Sequence, residues 1–188
     1  TEISFLTSQK DRKIMENDEK RPFSVVYAEV RNKLQSVDTS DIEWIIATVL
    51  NKNRAEVKLV ESVTDKEYRD IMRAVQRRAN GESVDNIFGY TEFYGLRFDV
   101  NKKVLTPRME TEILVGEVLK NLKRKNKILD VGTGSGAIAV TLAKFSDASV
   151  TALDISKQAL QVAMENAKKH NVKVEFIESN LFENLKKR

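Results

Sequence analysis

Residues 127–140 read KILDVGTGSGAIAV, and this stretch limits the possible folds more than any other part of the chain. Three glycines alternate with small residues between an apolar run, Ile128–Val131, and a run of small helix-forming residues, Ala137–Lys144. Glycine lets a chain turn tightly, and it lets a ligand touch main-chain atoms that a side chain would cover. The stretch therefore predicts a strand, a ligand-binding loop and a helix in succession.

The same order of strand and helix continues to residue 177. Ile128–Val131, Ala148–Leu153 and Val172–Ile177 are the predicted strands, with one helix between each pair. Ser156 is in position to cap the second of these helices. Strands that alternate with helices form a parallel sheet with right-handed crossovers. We therefore predict an α/β fold in which this region is a partial Rossmann-like domain that contains the first three strands of its sheet.

The chain before residue 80 has a different, helical pattern. Ser40–Glu43, Asn53–Glu56 and Thr64–Glu67 are capping signals that are followed by apolar residues at helical spacing. Residues 22–80 are therefore predicted to form a small helical bundle. Residues 1–21 are polar and charged without a sustained period, which predicts a poorly ordered arm.

A change of period marks the segment between the helical bundle and the α/β region. From Leu96 to Val100 apolar and polar residues alternate, which indicates one strand of a β-hairpin. Asn101–Lys103 is the predicted turn and Val104–Leu105 the predicted returning strand. The predicted organisation has four parts: a polar arm at 1–21, a helical bundle at 22–80, an interdomain segment with a β-hairpin at 81–106, and the α/β domain at 107–188.

The composition excludes several classes of protein. The chain has no cysteine, which rules out disulfides and thiolate metal sites, and no metal is expected. Its apolar runs are shorter than a membrane span, so we predict a soluble, cytoplasmic protein without a membrane partner. The net charge of +4 arises after residue 105, while the charges before it balance. This balance argues against a nucleic-acid partner for the helical bundle.

Three classes of ligand compete for the glycine stretch. A Walker phosphate loop requires a lysine after its last glycine, but Ala137 follows Gly136, so this class is excluded. A dinucleotide fingerprint places its third glycine one residue later than Gly136, which weakens a pyrophosphate ligand without excluding it. S-adenosyl-L-methionine has a compact amino-acid end without phosphate, and a tight glycine loop can enclose it. Asp130 completes the pattern Asp-x-Gly-x-Gly-x-Gly, which resembles the first motif of class I methyltransferases.

An acidic residue follows the second predicted strand. Asp154 is in position to accept hydrogen bonds from both hydroxyls of a ribose. Each acid also has a purely structural interpretation: Asp130 could cap the loop, and Asp154 could cap the following helix, although Ser156 already suits that role. The lone histidine, His170, is predicted to be a solvated residue at a helix end rather than a ligand or a base.

A second motif makes the likeness more specific. Thr106–Glu112 reads TPRMETE and precedes the glycine stretch, and together they resemble the HemK/PrmC-type glutamine methyltransferases, which modify peptide chain release factors. Met109 stands where this family usually has a second proline. Gly81–Gly89 and Glu92–Phe98 are similar to the family's interdomain segment, so the likeness extends over roughly residues 22 to 185.

The resemblance implies an S-adenosyl-L-methionine-dependent protein-glutamine methyltransferase that acts in translation termination. Its reaction would methylate the side-chain amide nitrogen of the glutamine in the Gly-Gly-Gln motif of release factors. The helical bundle would help to engage the release factor. Asn180 and Leu181 would contact the adenine, in place of the family's usual acid and bulky residue. The implied cofactor-binding residues are Asp130, Gly132, Thr133, Gly134, Ser135, Gly136, Asp154, Asn180 and Leu181.

The family's catalytic signature, Asn-Pro-Pro-Tyr, is not in this sequence, whose two prolines are Pro22 and Pro107. In the family the asparagine and a main-chain carbonyl would hold the glutamine amide, and positioning supplies much of the rate. We therefore expect the catalytic residues downstream of Arg188 and regard these residues as a portion of a longer enzyme that does not transfer methyl groups by itself.

Two alternatives from other functional classes stay open. An adenine methyltransferase that acts on nucleic acid would use related chemistry, but it predicts a broad basic cleft. A non-catalytic partner-binding module would use the helical bundle and keep a glycine loop without function. A nicotinamide-dependent enzyme is a more distant alternative.

Overall fold

The computed structural model describes residues 19–123 and 126–185, and its contacts divide the chain between Ile87 and Phe88 into two units. The predicted arm at residues 1–18 lies outside the described residues. Residues 20 and 21, which were also predicted in the arm, instead form part of a strand.

The first unit is mainly helical. Its strands pair antiparallel, Lys20 opposite Thr64 and Pro22 opposite Ser62. Its buried side chains include Val30, Ile45 and Ile71, which come from three different helices. The elements are β1 (Lys20–Pro22), α1 (Phe23–Lys33), α2 (Thr39–Val49), α3 (Arg54–Val57), β2 (Ser62–Thr64) and α4 (Asp65–Ala79), followed at the boundary of the units by α5 (Val84–Phe88).

Capping residues define where these helices begin. The predicted capping boxes at Asn53 and Thr64 are both present, each closed by the glutamate three residues later. The predicted cap at Ser40 is wrong, because α2 begins at Thr39 and the carboxylate of Asp38 accepts a hydrogen bond from the Ser40 N–H at 2.7 Å. Asp38 lies in an extended conformation, from which its side chain reaches the free amides of the first turn.

A two-residue turn closes the β-hairpin of the second unit. β3 (Tyr90–Phe93) pairs antiparallel with β4 (Leu96–Asp99), and both turn residues between them, Tyr94 and Gly95, have positive φ. This geometry matches the twist of paired strands. The predicted hairpin exists. A turn is also present at 101–104, where the Val104 N–H donates to the Asn101 carbonyl at 3.2 Å, but it does not connect the hairpin strands, and the predicted returning strand at 104–105 is wrong.

Long-range contacts explain why the hairpin turns at Tyr94. A non-glycine residue is uncommon at its φ of 52°. The Tyr94 N–H donates to Glu112 at 3.0 Å, and the Tyr94 ring lies 5.6 Å from that of Phe145, centroid to centroid. These partners are distant in sequence, so local turn signals do not reveal them.

A parallel sheet organises the rest of the second unit. Among the described residues its strands are β5 (Lys127–Val131), β6 (Ser149–Asp154) and β7 (Glu175–Glu178), in the order β5-β6-β7. The helices are α6 (Met109–Asn121), α7 (Ala137–Phe145) and α8 (Lys157–Lys169). This arrangement confirms the predicted α/β class, with its helical N-terminal region, its hairpin and three parallel strands.

The third strand begins later than predicted because the end of α8 takes up the residues before it. Asn171 has a positive φ of 56°, and the Val172 N–H donates to the Ala167 carbonyl at 3.1 Å. A left-handed residue with a bond back across the last turn is a Schellman-type helix end. Val172 therefore belongs to the helix cap, and the strand starts at Glu175.

The third glycine of the loop serves helix packing. Gly136 has a φ of +80°, and a Cβ built on it would lie 2.9 Å from the Cβ of Ala163 in α8. Ala163 is fully buried, so neither helix has space into which it can move easily. At Gly132, in contrast, a built Cβ meets no described atom within 4 Å, although its φ is +78°.

We predict that Gly136→Ala lowers the free energy of unfolding by about 3 kcal/mol, whereas Gly132→Ala lowers it by about 1 kcal/mol. Both alanines would adopt a left-handed backbone, but only the one at 136 would also overpack the contact between α7 and α8. Urea unfolding followed by circular dichroism measures both values. Equal losses for the two variants would contradict the packing role of Gly136.

Candidate functional site

The candidate site lies at the carboxyl end of the parallel strands. Residues 132–136, here called the glycine loop, follow β5 directly. The N–H groups of Gly132 and Thr133 both donate to the carbonyl of Leu153, each at 2.8 Å. The glycine loop is thereby anchored to β6 next to Asp154. In open α/β sheets this edge is where ligands bind.

The first two glycines leave main-chain atoms accessible. Gly132 and Gly134 have φ values of 78° and 56°, and a Cβ at either position would meet no described atom within 4 Å. Gly132 is exposed and Gly134 half-buried, whereas Thr133 and Ser135 are buried. The glycine loop therefore combines buried anchors with an open main-chain surface to which a ligand can bind closely.

Asp154 connects the end of β6 to the glycine loop. One carboxylate oxygen accepts from the Gly134 N–H and the other from the Ser156 N–H, both at 2.9 Å. The predicted helix cap is present, since the Ser156 hydroxyl accepts from the Ala159 N–H at 3.2 Å. A carboxylate has about four acceptor positions. The half-buried Asp154 can therefore accept further hydrogen bonds from a ligand.

Asp130 holds the glycine loop from its buried side. The Thr133 hydroxyl donates to the Asp130 carboxylate at 2.7 Å. Burial raises the pKa of Asp130, and the nearby charge of Asp154 raises it further. Hydrogen bonds from Thr133 and from the Ala139 amide lower the pKa but do not cancel the effect of burial. These contacts match the structural interpretation in which Asp130 caps the loop.

Asn180 and Leu181 follow β7 at the same edge of the sheet. The N–H of the buried Ser179 donates to the main-chain carbonyl of Asp154 at 3.0 Å, which joins the two strand ends. Asn180 is exposed and its amide donates to Glu183 at 3.0 Å. Leu181 has a φ of 49° and is 62% exposed. Both residues therefore lie on an exposed turn that directly follows Ser179, the residue bonded to the end of β6.

Two residues of α8 have an exposure opposite to their polarity. Met164 is 47% exposed, whereas Asn166 is fully buried. The Asn166 side chain bonds to Ser135 of the glycine loop and to Asp99. An asparagine between alanines at helical spacing is the only sequence signal of this role, and it is a weak one.

The ring of His170 donates to the Arg97 carbonyl at 2.9 Å, so it connects α8 to the hairpin.

Two classes of feature are not found in the part of the chain that the structure describes. No group of three or more His, Cys, Asp or Glu side chains is arranged to hold a metal ion. No helix between residues 19 and 185, the gap at 124–125 aside, is long and apolar enough to cross a membrane.

Comparison with known proteins finds that part of this chain is similar to methyltransferases. Residues 107–188 match the family model described as the methyltransferase small domain. A solved structure of ribosomal protein L11 methylase from Lactobacillus delbrueckii subsp. bulgaricus is 28% identical, with a TM-score of 0.39, and the match covers 42% of each chain.

More specific relatives are release factor glutamine methyltransferases, and the sequence resemblance to this family is confirmed. The protein of that name from Dictyoglomus turgidum is 38% identical over an aligned stretch of 166 residues that covers 83% of this chain and 58% of that protein. The one from Neisseria gonorrhoeae is 51% identical over 112 residues, which are 59% of this chain and 41% of that protein. The chain spans about half the length of the curated relatives it matches.

We predict that Asp130 makes stability depend on pH. Because its pKa is raised in the folded state, its contribution is fully present below 3.8, the ordinary value, and is lost as pH rises through the raised pKa. In the variant Asp130→Asn the asparagine cannot ionise, so this variant does not lose stability at this position as pH rises. Its free energy of unfolding, relative to the wild type, should therefore increase from acid to neutral pH in urea unfolding experiments.

A second variant tests the cause of this pH dependence. Thr133→Val removes a hydrogen bond that lowers the pKa of Asp130, so the loss of stability should move to higher pH. A difference between Asp130→Asn and the wild type that is constant with pH, or that decreases as pH rises, would contradict the assignment.

Proposed function

We propose that the second unit binds S-adenosyl-L-methionine at the glycine loop and Asp154. The observation that carries the proposal is the open main-chain surface at Gly132 and Gly134, next to a carboxylate with unused acceptor positions. These groups fit the cofactor. The main chain at 132–134 would enclose its methionyl end, and Asp154 would accept hydrogen bonds from the ribose hydroxyls.

The other residues that the sequence predicts at the cofactor site would have further roles there. Thr133, Ser135 and Gly136 would maintain the shape of the glycine loop, because the first two are buried and the third packs on α8. Asp130 would keep the loop attached to β5 through Thr133. Asn180 and Leu181 would contact the adenine, since their turn adjoins the end of β6 through Ser179.

We further propose that this site serves a protein-glutamine methyltransferase. The bound cofactor would supply a methyl group that its positive sulfur makes electrophilic. The acceptor would be the side-chain amide nitrogen of the glutamine in the Gly-Gly-Gln motif of a peptide chain release factor. The names of the relatives support this substrate, and the match at 38% identity includes most of the helical unit. The helical unit would contact the release factor, and a cytoplasmic location fits this partner.

We predict that the 188-residue chain binds S-adenosyl-L-methionine and S-adenosylhomocysteine in isothermal titration calorimetry and does not bind NAD. Asp154→Asn should weaken both affinities at least roughly tenfold, because hydrogen bonds to a charged acceptor are stronger than those to a neutral one. Asp147→Asn is the charge-matched control, since Asp147 is an exposed acid in the turn before β6. Its affinities should equal those of the wild type.

Each contrary result points to a different function. Binding of NAD in place of the sulfonium compound would indicate a dinucleotide enzyme. An absence of heat with either methionine derivative would indicate a partner-binding module without cofactor. Salt-sensitive binding of DNA together with cofactor binding would indicate an adenine methyltransferase instead of a protein methyltransferase.

A further inference from the structure

We propose that Asn166 is a positioning residue that holds the glycine loop in its binding conformation and couples it to the β-hairpin. The expected effect of Asn166 on cofactor affinity rests on the proposed function. Its effect on the conformation of the glycine loop concerns the protein without ligand. Asn166 lies in α8 and is fully buried.

The Asn166 amide bonds to main-chain atoms from two distant segments. Its oxygen accepts from the Asp99 N–H at 2.8 Å, and its nitrogen donates to the Asp99 carbonyl at 2.9 Å. The second hydrogen of the same nitrogen is directed to the Ser135 carbonyl, also at 2.9 Å. Both donors of the amide and one acceptor position are therefore used.

The bonds from Asn166 provide partners for main-chain groups that are not paired within the helices and strands. Ser135 precedes Gly136, the cap of α7, whose own carbonyl accepts the first helical bond from Val140. The Ser135 carbonyl thus lies outside the helix and is buried. A buried carbonyl without a partner is costly, so losing Asn166 would favour another path of the loop.

The contact with Asp99 fixes Asn166 in turn. Asp99 is the last residue of β4, and the amide bonds both of its main-chain groups as a neighbouring strand would. Lys169, the last residue of α8, bonds to the Asp99 carboxylate, and His170, which follows it, bonds to the Arg97 carbonyl. The hairpin, the end of α8 and the glycine loop therefore form one connected hydrogen-bonded structure.

Asn166→Asp is the most direct test. It keeps the size of the side chain and the acceptor for the Asp99 N–H, but it removes both donors. Asn166→Leu is the second variant, because it has a similar volume and introduces no charge. Val162→Ala is the matched control: Val162 is buried in the same helix, but its side chain cannot make a hydrogen bond.

The first readout is the amide NMR spectrum of the unliganded protein. We expect both Asn166 variants to shift the amide resonances of Gly132, Gly134 and Gly136, and Val162→Ala to leave them in place. The second readout is calorimetry with S-adenosyl-L-methionine, in which the Asn166 variants should bind roughly tenfold more weakly or worse. Val162→Ala should reduce the unfolding temperature without reducing affinity.

The outcomes separate this inference from the proposed function. Unshifted loop resonances in the Asn166 variants, or wild-type affinity, would overturn it. Failure of both variants to fold would also overturn it, in favour of a role in folding alone. If the wild type does not bind S-adenosyl-L-methionine, the proposed function fails, while the unliganded spectra still decide whether Asn166 positions the loop.

Discussion

The anchoring of the glycine loop on the end of β6 is the interaction on which the rest of the site depends. The Leu153 carbonyl accepts two loop amides, and the Asp154 carboxylate accepts a third from Gly134. A loop that binds a ligand through its main chain must hold a fixed path without side-chain contacts at the binding surface. Here β6 fixes the path of the loop through its bonds to the loop amides, and the main-chain surface of Gly132 and Gly134 stays open.

The three glycines have different physical reasons to be glycine. All three have positive φ, which alone disfavours other residues. Gly132 and Gly134 add an open surface, whereas Gly136 adds a contact with Ala163 that leaves no space for a methyl group. Binding of the proposed ligand would therefore account for the first two glycines of the loop only. Helix packing explains the last position and would require glycine there in an empty site as well.

Most features that depend on neighbours in sequence could be predicted, with the cap at Asp38 and the helix end at Asn171 as exceptions, whereas features that depend on distant contacts could not. The strand–loop–helix order, the caps at Thr64 and Ser156 and the position of Asp154 at a strand end all follow local patterns. The hairpin turn was misplaced because Tyr94 adopts its left-handed backbone with help from Glu112. Asn166 was missed because its partner Asp99 is 67 residues away.

The most direct test of the account is a crystal structure of the chain with S-adenosylhomocysteine. We expect the ligand to lie along the main chain of Gly132–Gly134, with both ribose hydroxyls bonded to the Asp154 carboxylate. Ligand bound elsewhere, or a pyrophosphate-containing molecule in this place while S-adenosylhomocysteine is excluded, would contradict the account.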